Sequence, residues 1–421
     1  MRRTSLLSLM LTAAVSVVFG VTSVWSQAAV PVPAASPAWV ARVAGALYAF
    51  AVADAMGGPV ENWTPRQIEE RFGSHDLLAF LPPTEPVVPP GTGKGEGRVT
   101  DDTLQVEALL RAYATHRTHL DAHAYVTAYL PEVAQRRVWV AERQDERTVL
   151  DRPMWWPERY AWQRHAINRV DPRQGGQGNW LNQGLASIIW PIGAVNAGDP
   201  GRAYAEAVAF GSAHTESYAL EGAAVVAAAF AVAFGPSPTA DAVLAAAVAR
   251  ARDGTSLALR SALAATDPST PIPVFVDAVR RSWLPYSGLP PERLDVPDPD
   301  TRELSGTNVG LPSRTQALEN VVAAFSAVKY GQGDFRKTFR AALFYGRDAE
   351  SIAAVAAALL GAMGGTDVVP AGLRAGVDRA NRRNFAAEAA AFASTAAAIV
   401  ADDDRLQRAR SLAVLSPRRA P

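Results

Sequence analysis

Two short stretches of this sequence carry oxygen-rich chemistry. The first is Thr100-Asp101-Asp102-Thr103, which follows a glycine-rich loop at residues 91–97 ("GTGKGEG") and leads into "LQVEALL". The second is Asp348-Ala349-Glu350-Ser351 in "GRDAES", which leads into "IAAVAAALLGAMGG". One acid at a helix start has an ordinary role, in which it caps free N–H groups and faces the positive end of the helix dipole. Thr100 or Asp101 suits that role in the first stretch. Asp348 suits it in the second, with Glu350 and Ser351 in the first turn. Neighbouring carboxylates flanked by hydroxyls ask for more, because they repel unless a cation shares them, and hard divalent ions take such ligands. The device occurs twice, and each time it opens a helix rich in small residues that permit close approach. If the two starts meet at one end of a bundle, about five or six oxygens converge on one or two Mg²⁺ or Mn²⁺ ions. Spacing alone permits both capping and metal binding.

A third acid stands apart. In "GALYAFAVADAMGGPVENW" a helix carries Asp54 near its end, breaks at Gly57-Gly58-Pro59, and delivers Glu61 just beyond. Such an acid is ordinarily solvated. Beside a metal site it could act as general acid or base. His116, His119 and His123 in "HRTHLDAHAYV" have no acid-rich partner motif and read as structural or solvated residues of a helix connection. His214, in "GSAHTESYALEG", precedes an apolar helix; it is either a hydrogen-bonded histidine at a helix start or a ligand contact. Trp155, Trp156, Trp162, Trp180 and Trp190 suit packing, or the stacking of a base or sugar ring.

The elements that must position these groups are helices. Apolar residues recur at three-to-four spacing, alanine is abundant, and alternating β-branched runs are scarce, which predicts an all-α fold. Residues 222–235 are apolar all round and too short to span a membrane, so they read as a central buried helix. Proline and glycine mark loops, none of them long or biased enough to separate domains, and there is no repeat of fixed period. One compact domain over residues 36–413, with a tail at 414–421, is the simplest organisation. The chain has 421 residues, 49% of them hydrophobic, enough for a large core. Its 41 basic and 41 acidic residues leave no excess for nucleic acid as a partner. With no cysteine, disulfides, thiolate-bound zinc, iron–sulfur clusters and a thiol nucleophile are excluded.

Arg2 and Arg3 precede a stretch without charge that runs to Arg42, and Ser26-Gln27-Ala28 offers small residues for a signal peptidase. Residues 1–28 read as a signal peptide, or alternatively as an N-terminal anchor, followed by a Pro/Ala spacer at 29–35. The expected location is periplasmic or secreted, with no membrane span in the mature domain.

"ADAMGGPVE", "GRVTDDT", "PIGAVNAGDP" and "GRDAESIAAVAAALLGAMGG" follow one another in an order that resembles the ADP-ribosylglycohydrolase family, which includes dinitrogenase reductase-activating glycohydrolases and crystallin J1-like proteins. The resemblance implies an all-α fold, a pair of Mg²⁺ or Mn²⁺ ions, and hydrolysis of the bond joining ADP-ribose to a side chain or small leaving group. It implies metal ligation by Thr100, Asp101 and Asp102, and by Asp348, Glu350 and Ser351, which stand where the family has Asp, Asp and Thr or Ser. Glu61 falls at the family's catalytic acid, so water would attack the anomeric carbon beside it. In "NQGLASIIWPIG", Gln183 and Gly184 are the nearest counterparts of an Asn-Gly pair in the family's substrate loop, and His214 joins them as a substrate contact. Two departures stand out: Glu350 has one methylene more than aspartate, and Ile188 stands at an arginine position. The resemblance makes ADP-ribose conjugates the expected substrates, and the apolar residue at the arginine position weakens the case for a diphosphate. A smaller ribosyl compound such as a nucleoside is the alternative, and a non-catalytic ADP-ribose-binding or structural protein with a degenerate site is the third reading.

Overall fold

Ser36 opens the first helix, α1 (Pro37–Gly57), by accepting from the Trp39 N–H at 3.1 Å, with Pro37 in the first turn, where a missing N–H costs nothing. The computed structural model describes residues 34–84, 89–151, 156–179, 184–286 and 317–415. The predicted signal segment 1–28, most of the spacer, Trp155, Trp180, Gln183 and residues 416–421 of the tail lie outside the described residues. α1 is buried from Val43 to its end, and it stops in the short turn Gly58–Val60. Thr64 then starts α2 (Pro65–Phe72) with a reciprocal capping box to Gln67.

α3 (Asp101–His116) begins where the acids begin, with Thr100 as its N-cap accepting from the Asp102 N–H. The alanine-rich helix (Ala349–Gly364) has Asp348 at its N-cap position, but no side-chain cap bond forms there. α1 packs along this helix, and the glycines explain how closely. A Cβ on Gly361 would lie 2.2 Å from the Gly45 carbonyl oxygen, and one on Gly57 would lie 2.2 Å from the Glu350 Cα. Backbone meets backbone at both ends of the crossing, so any side chain would force the helices apart. This contact carries the end of α1 onto the start of the alanine-rich helix.

The central helix (Ser217–Ala233) is apolar on every side and mostly buried, packed among helices Trp190–Val195, Pro200–Gly211 and Ala240–Arg250. A terminal helix (Phe385–Val414) covers α1 and α3. The described residues form an all-α, single-domain fold, with a continuous apolar core running through all these helices. One small addition escapes sequence periodicity: β1 (Arg137–Val140) pairs antiparallel with β2 (Asp145–Thr148), with Arg137 opposite Thr148. Four-residue strands are too short to show alternation. They gain support from tertiary contacts instead, for Arg383 donates to the Trp139 carbonyl (3.1 Å) and Arg382 stacks over the Trp139 ring (3.5 Å).

By length and composition alone, two described helical stretches could cross a membrane, Pro37–Val60 and Phe385–Val414. The apolar window of the first is wholly buried inside the protein, and that of the second is 33% buried.

Candidate active site

The two oxygen-rich helix starts meet. Ser351 Oγ, in the first turn of the alanine-rich helix, donates to Asp102 Oδ2 at 2.6 Å and lies 3.3 Å from Asp348 Oδ1. Across nearly 250 residues of sequence, this one contact brings the "TDDT" and "GRDAES" stretches together. Asp348 does not cap its helix because its carboxylate faces other partners: Asn320 Nδ2 donates to Oδ2 at 2.5 Å. Asp101 is buried in the first turn of α3 beside Asp102.

Glu61 joins them from the other side. The turn after α1 is tied to the "GRD" turn by a two-way backbone exchange: the Asn62 N–H donates to the Arg347 carbonyl, and the Arg347 N–H to the Trp63 carbonyl, each at 2.7 Å. Arg347 itself points away, its guanidinium held by buried Glu319 at 2.8 Å. As a result, carboxylate oxygens of Glu61, Asp348 and Glu350 lie within 4.8 Å of one another, an acidic cluster that could hold a metal ion. Lys94, from the glycine-rich loop, donates to Glu61 and, at 3.1 Å, to Glu350 Oε2.

Asp54 organises the floor. Its carboxylate accepts from the Thr100 N–H (2.9 Å), the Thr100 hydroxyl (2.6 Å) and the Thr103 hydroxyl (2.5 Å), so the last turn of α1 fastens the first turn of α3. Thr100 therefore plays two parts in the structure: it caps α3 and donates to Asp54.

The electrostatics follow from crowding. Burial, then the charges of Asp54 and Asp348, push the Asp102 carboxyl well above the ordinary range, while hydrogen bonds from Ser351 and Ser187 act the other way. Burial and Glu61 push Glu350 up, with Lys94 opposing. Glu142, in the hairpin loop, is pushed up to about 7 by burial, against the pull of Lys94. Such acids gain from an added cation, and their hard oxygen donors suit Mg²⁺ or Mn²⁺.

The remaining predicted residues lie to one side. Gly184 opens the helix Gly184–Ile188, and its carbonyl accepts from Ser187 Oγ at 2.9 Å. Ser187 also donates to Asp102 Oδ1 at 3.1 Å, which ties this helix to the acidic cluster. Ile188 and Trp190 are buried in the core, where Trp190 packs against Phe230, Phe234 and Phe392. His214 is only 2% exposed, 3.7 Å from Glu158 Oε1, with its ring beside Tyr125. Neither His214 ring nitrogen has a hydrogen-bond partner among the described residues, nor has Glu158 Oε2 or Asn179 Oδ1. Tyr129 is buried beside Tyr125, and burial, with Tyr125 and the charges of Glu158 and Asp102, pushes its hydroxyl well above the ordinary range. His119 is elsewhere, bridging Glu206 (2.5 Å) and Asp403 (2.9 Å), and His116 and His123 are exposed.

Five residues of the centre have no assigned role in the sequence reading: Asp54, Lys94, Glu142, Ser187 and Asn320. Asp54 was within reach, since it lies seven residues before Glu61 in the same motif. Lys94 had a signal as well, being the cation inside "GTGKGEG". Glu142, Ser187 and Asn320 act through the fold and have no local signature.

The helix starts of this bundle converge on buried carboxylates. The chain belongs to the ADP-ribosylglycohydrolase family, which residues 35–406 match. Over 365 residues it is 26% identical to YegU, an uncharacterized protein of Escherichia coli (strain K12), covering 84% of this chain and 96% of that protein. A solved structure described as an ADP-ribosylglycohydrolase-related protein complex is 21% identical, covers 86% of this chain and 98% of its own, and has a TM-score of 0.46. Membership implies a glycohydrolase activity of the ADP-ribosylglycohydrolase type.

Proposed function

We propose that this chain is an exported glycohydrolase that uses divalent cation to cleave the ribosyl bond of an ADP-ribose conjugate, protein-linked or small-molecule. The observation that carries this reading is the Ser351–Asp102 contact, which joins two oxygen-rich helix starts with carboxylates on both sides. Thr100, Asp101, Asp102, Asp348, Glu350 and Ser351 would hold Mg²⁺ or Mn²⁺. When bound, the ion supplies concentrated positive charge at the ribose hydroxyls. Glu61, at the more open side of the cluster, takes a proton from the water that attacks the anomeric carbon. The surrounding carboxylates stabilise positive charge developing on the ribose ring. His214, with two buried ring nitrogens that lack partners among the described residues, would contact the substrate, with Gln183 and Gly184 as the other substrate contacts read from the sequence. The basic start, apolar stretch and small residues of segment 1–28 support export.

A smaller ribosyl compound is the second reading, and Ile188 favours it. Where the family pattern has an arginine, this chain has a buried apolar side chain that offers no charge to a diphosphate.

Calorimetric titration of metal-free protein with Mn²⁺, with and without ADP-ribose, separates these readings. Ion binding that tightens ADP-ribose affinity at least about tenfold, with release of ADP-ribose from conjugates, is the expected result. Ion binding without ADP-ribose affinity turns the search to nucleosides, and no ion binding removes the enzyme reading. Glu61→Gln should retain the ion and slow turnover by about 10²–10⁴-fold; full activity in that variant takes Glu61 out of the reaction.

A further inference from the structure

Lys94 carries a charge into the acidic cluster that the proposed reaction does not use. Its ammonium donates to Glu61 and Glu350, two of the three carboxylates that lie within 4.8 Å of one another. This is a built contact. Gly91, Gly93, Gly95 and Gly97 all have positive φ, as does Glu96 between the last two, a conformation that side chains disfavour. The loop they form is pinned by three hydrogen bonds: Gly93 N–H to the Glu142 carbonyl (2.8 Å), Arg98 Nε to the Gly93 carbonyl (2.7 Å) and Glu96 N–H to the Leu81 carbonyl (2.8 Å). The Lys94 stem runs over Gly58, where an added Cβ would sit 3.4 Å from both Lys94 Cδ and Glu350 Oε2. Its side chain is only 30% exposed.

We propose that Lys94 takes the place of the second divalent cation: its ammonium balances Glu61 and Glu350, and the centre binds one ion, at Asp101, Asp102, Asp348 and Ser351. This inference rests on the reading that the centre holds metal, and refines it by taking Thr100 and Glu350 out of the ligand set named above. An ammonium is a compact point charge with three donors, so it can satisfy two carboxylates at once without the six-fold coordination that Mg²⁺ demands. A divalent ion placed between Glu61 and Glu350 would meet that ammonium at contact distance and be repelled by it. The exchange also accounts for a departure from the family pattern. The extra methylene of Glu350 gives its Oε2 the reach to meet the Lys94 ammonium. Glu61 is then positioned by a side chain of the protein itself.

The test is metal stoichiometry, read by calorimetry and by electron paramagnetic resonance on the mature chain titrated with Mn²⁺. Wild type is expected to bind one Mn²⁺ per chain. Lys94→Met is expected to bind two, with spin coupling between neighbouring ions, and Lys94→Gln serves as a second variant should the first fail to fold. Two ions in wild type would overturn the inference and leave the metal-dependent reading standing. One ion in wild type and in both variants would also overturn it, since Lys94 would not set the count. No ion in wild type would remove the metal reading and this inference together, a result distinct from the other two.

Discussion

α3 bears two buried sets of acids, and the protein treats them differently. Near its middle, Glu107 is held by the Arg383 guanidinium at 2.7 and 3.2 Å, with Arg111 at 3.9 Å. Glu388 beside it is pushed up to about 8 by burial and by the Glu107 charge, so it keeps its proton at neutral pH. The set is balanced by the chain's own arginines. At the start of the same helix, Asp102 is bonded to two serine hydroxyls and crowded by Asp54 and Asp348. The nearby ammonium of Lys94 serves Glu61 and Glu350. Glu107 and Asp102 share a helix and a similar burial and differ in who supplies the positive charge. Guanidinium-paired acids are balanced within the fold, whereas acids left to repel one another could hold a metal ion.

Breaking each set separates these roles. Arg383→Met strands Glu107 as a buried charge and should cost about 3–5 kcal/mol in denaturant unfolding, with Mn²⁺ affinity unchanged. Asp102→Asn should do the reverse. Stability of the metal-free protein stays level or rises, because a repelled carboxylate is removed, while Mn²⁺ affinity falls at least about a hundredfold. If Asp102→Asn instead unfolds the protein, its charge belongs to the scaffold and the contrast collapses.

A pH series sharpens the same contrast. The Glu142 carboxyl, buried near Lys94, Asp54, Glu61 and Arg143, sits at about 7 in the folded protein against an ordinary 4.5. Between those values the folded chain retains a proton that the unfolded chain has released. Stability therefore falls as pH rises through this window, and the loss is complete above about pH 7. Two and a half units correspond to about 3 kcal/mol at most. Glu142→Gln, unfolded in urea without metal, should gain up to that amount over wild type at pH 8 and close to nothing at pH 4. Equal gains at both values would mean that the effect is packing rather than ionisation.

The contrast also explains what could be read from the residues alone. Helices with strong apolar periodicity were legible, and so were the acid pairs at helix starts, because caps and metal ligands use the same oxygen-rich residues at the same place. What separates a cap from a ligand is the partner across space. Asp348 sits in the capping position yet makes no side-chain cap bond. Thr100 does cap, and also donates to Asp54, which no local pattern reveals. Lys94 was hidden for the opposite reason: a lysine in a glycine-rich loop is ordinarily solvated, and only the pinned loop turns it inward. The β1–β2 hairpin was invisible because its strands are shorter than any alternation that could announce them.

The smallest expected effect tests the join itself. Ser351→Ala removes the hydroxyl that donates to Asp102 Oδ2 and approaches Asp348 Oδ1, with little loss of volume and no change in helix register. A hydrogen bond to a charged group contributes roughly 1.5–3 kcal/mol. If Ser351 only fastens the two helix starts, its loss should lower the thermal midpoint and leave ion affinity alone. If it positions Asp102 and Asp348 for an ion, the midpoint of the metal-free protein should hardly move, because the freed carboxylates repel with or without it. Mn²⁺ affinity should then fall by about tenfold, the equivalent of roughly 1.4 kcal/mol. We expect the second pattern, read by calorimetric titration beside a thermal scan in chelator. A change in the midpoint with unchanged affinity would assign Ser351, and the contact it makes, to the same structural role that Arg383 plays further along the helix.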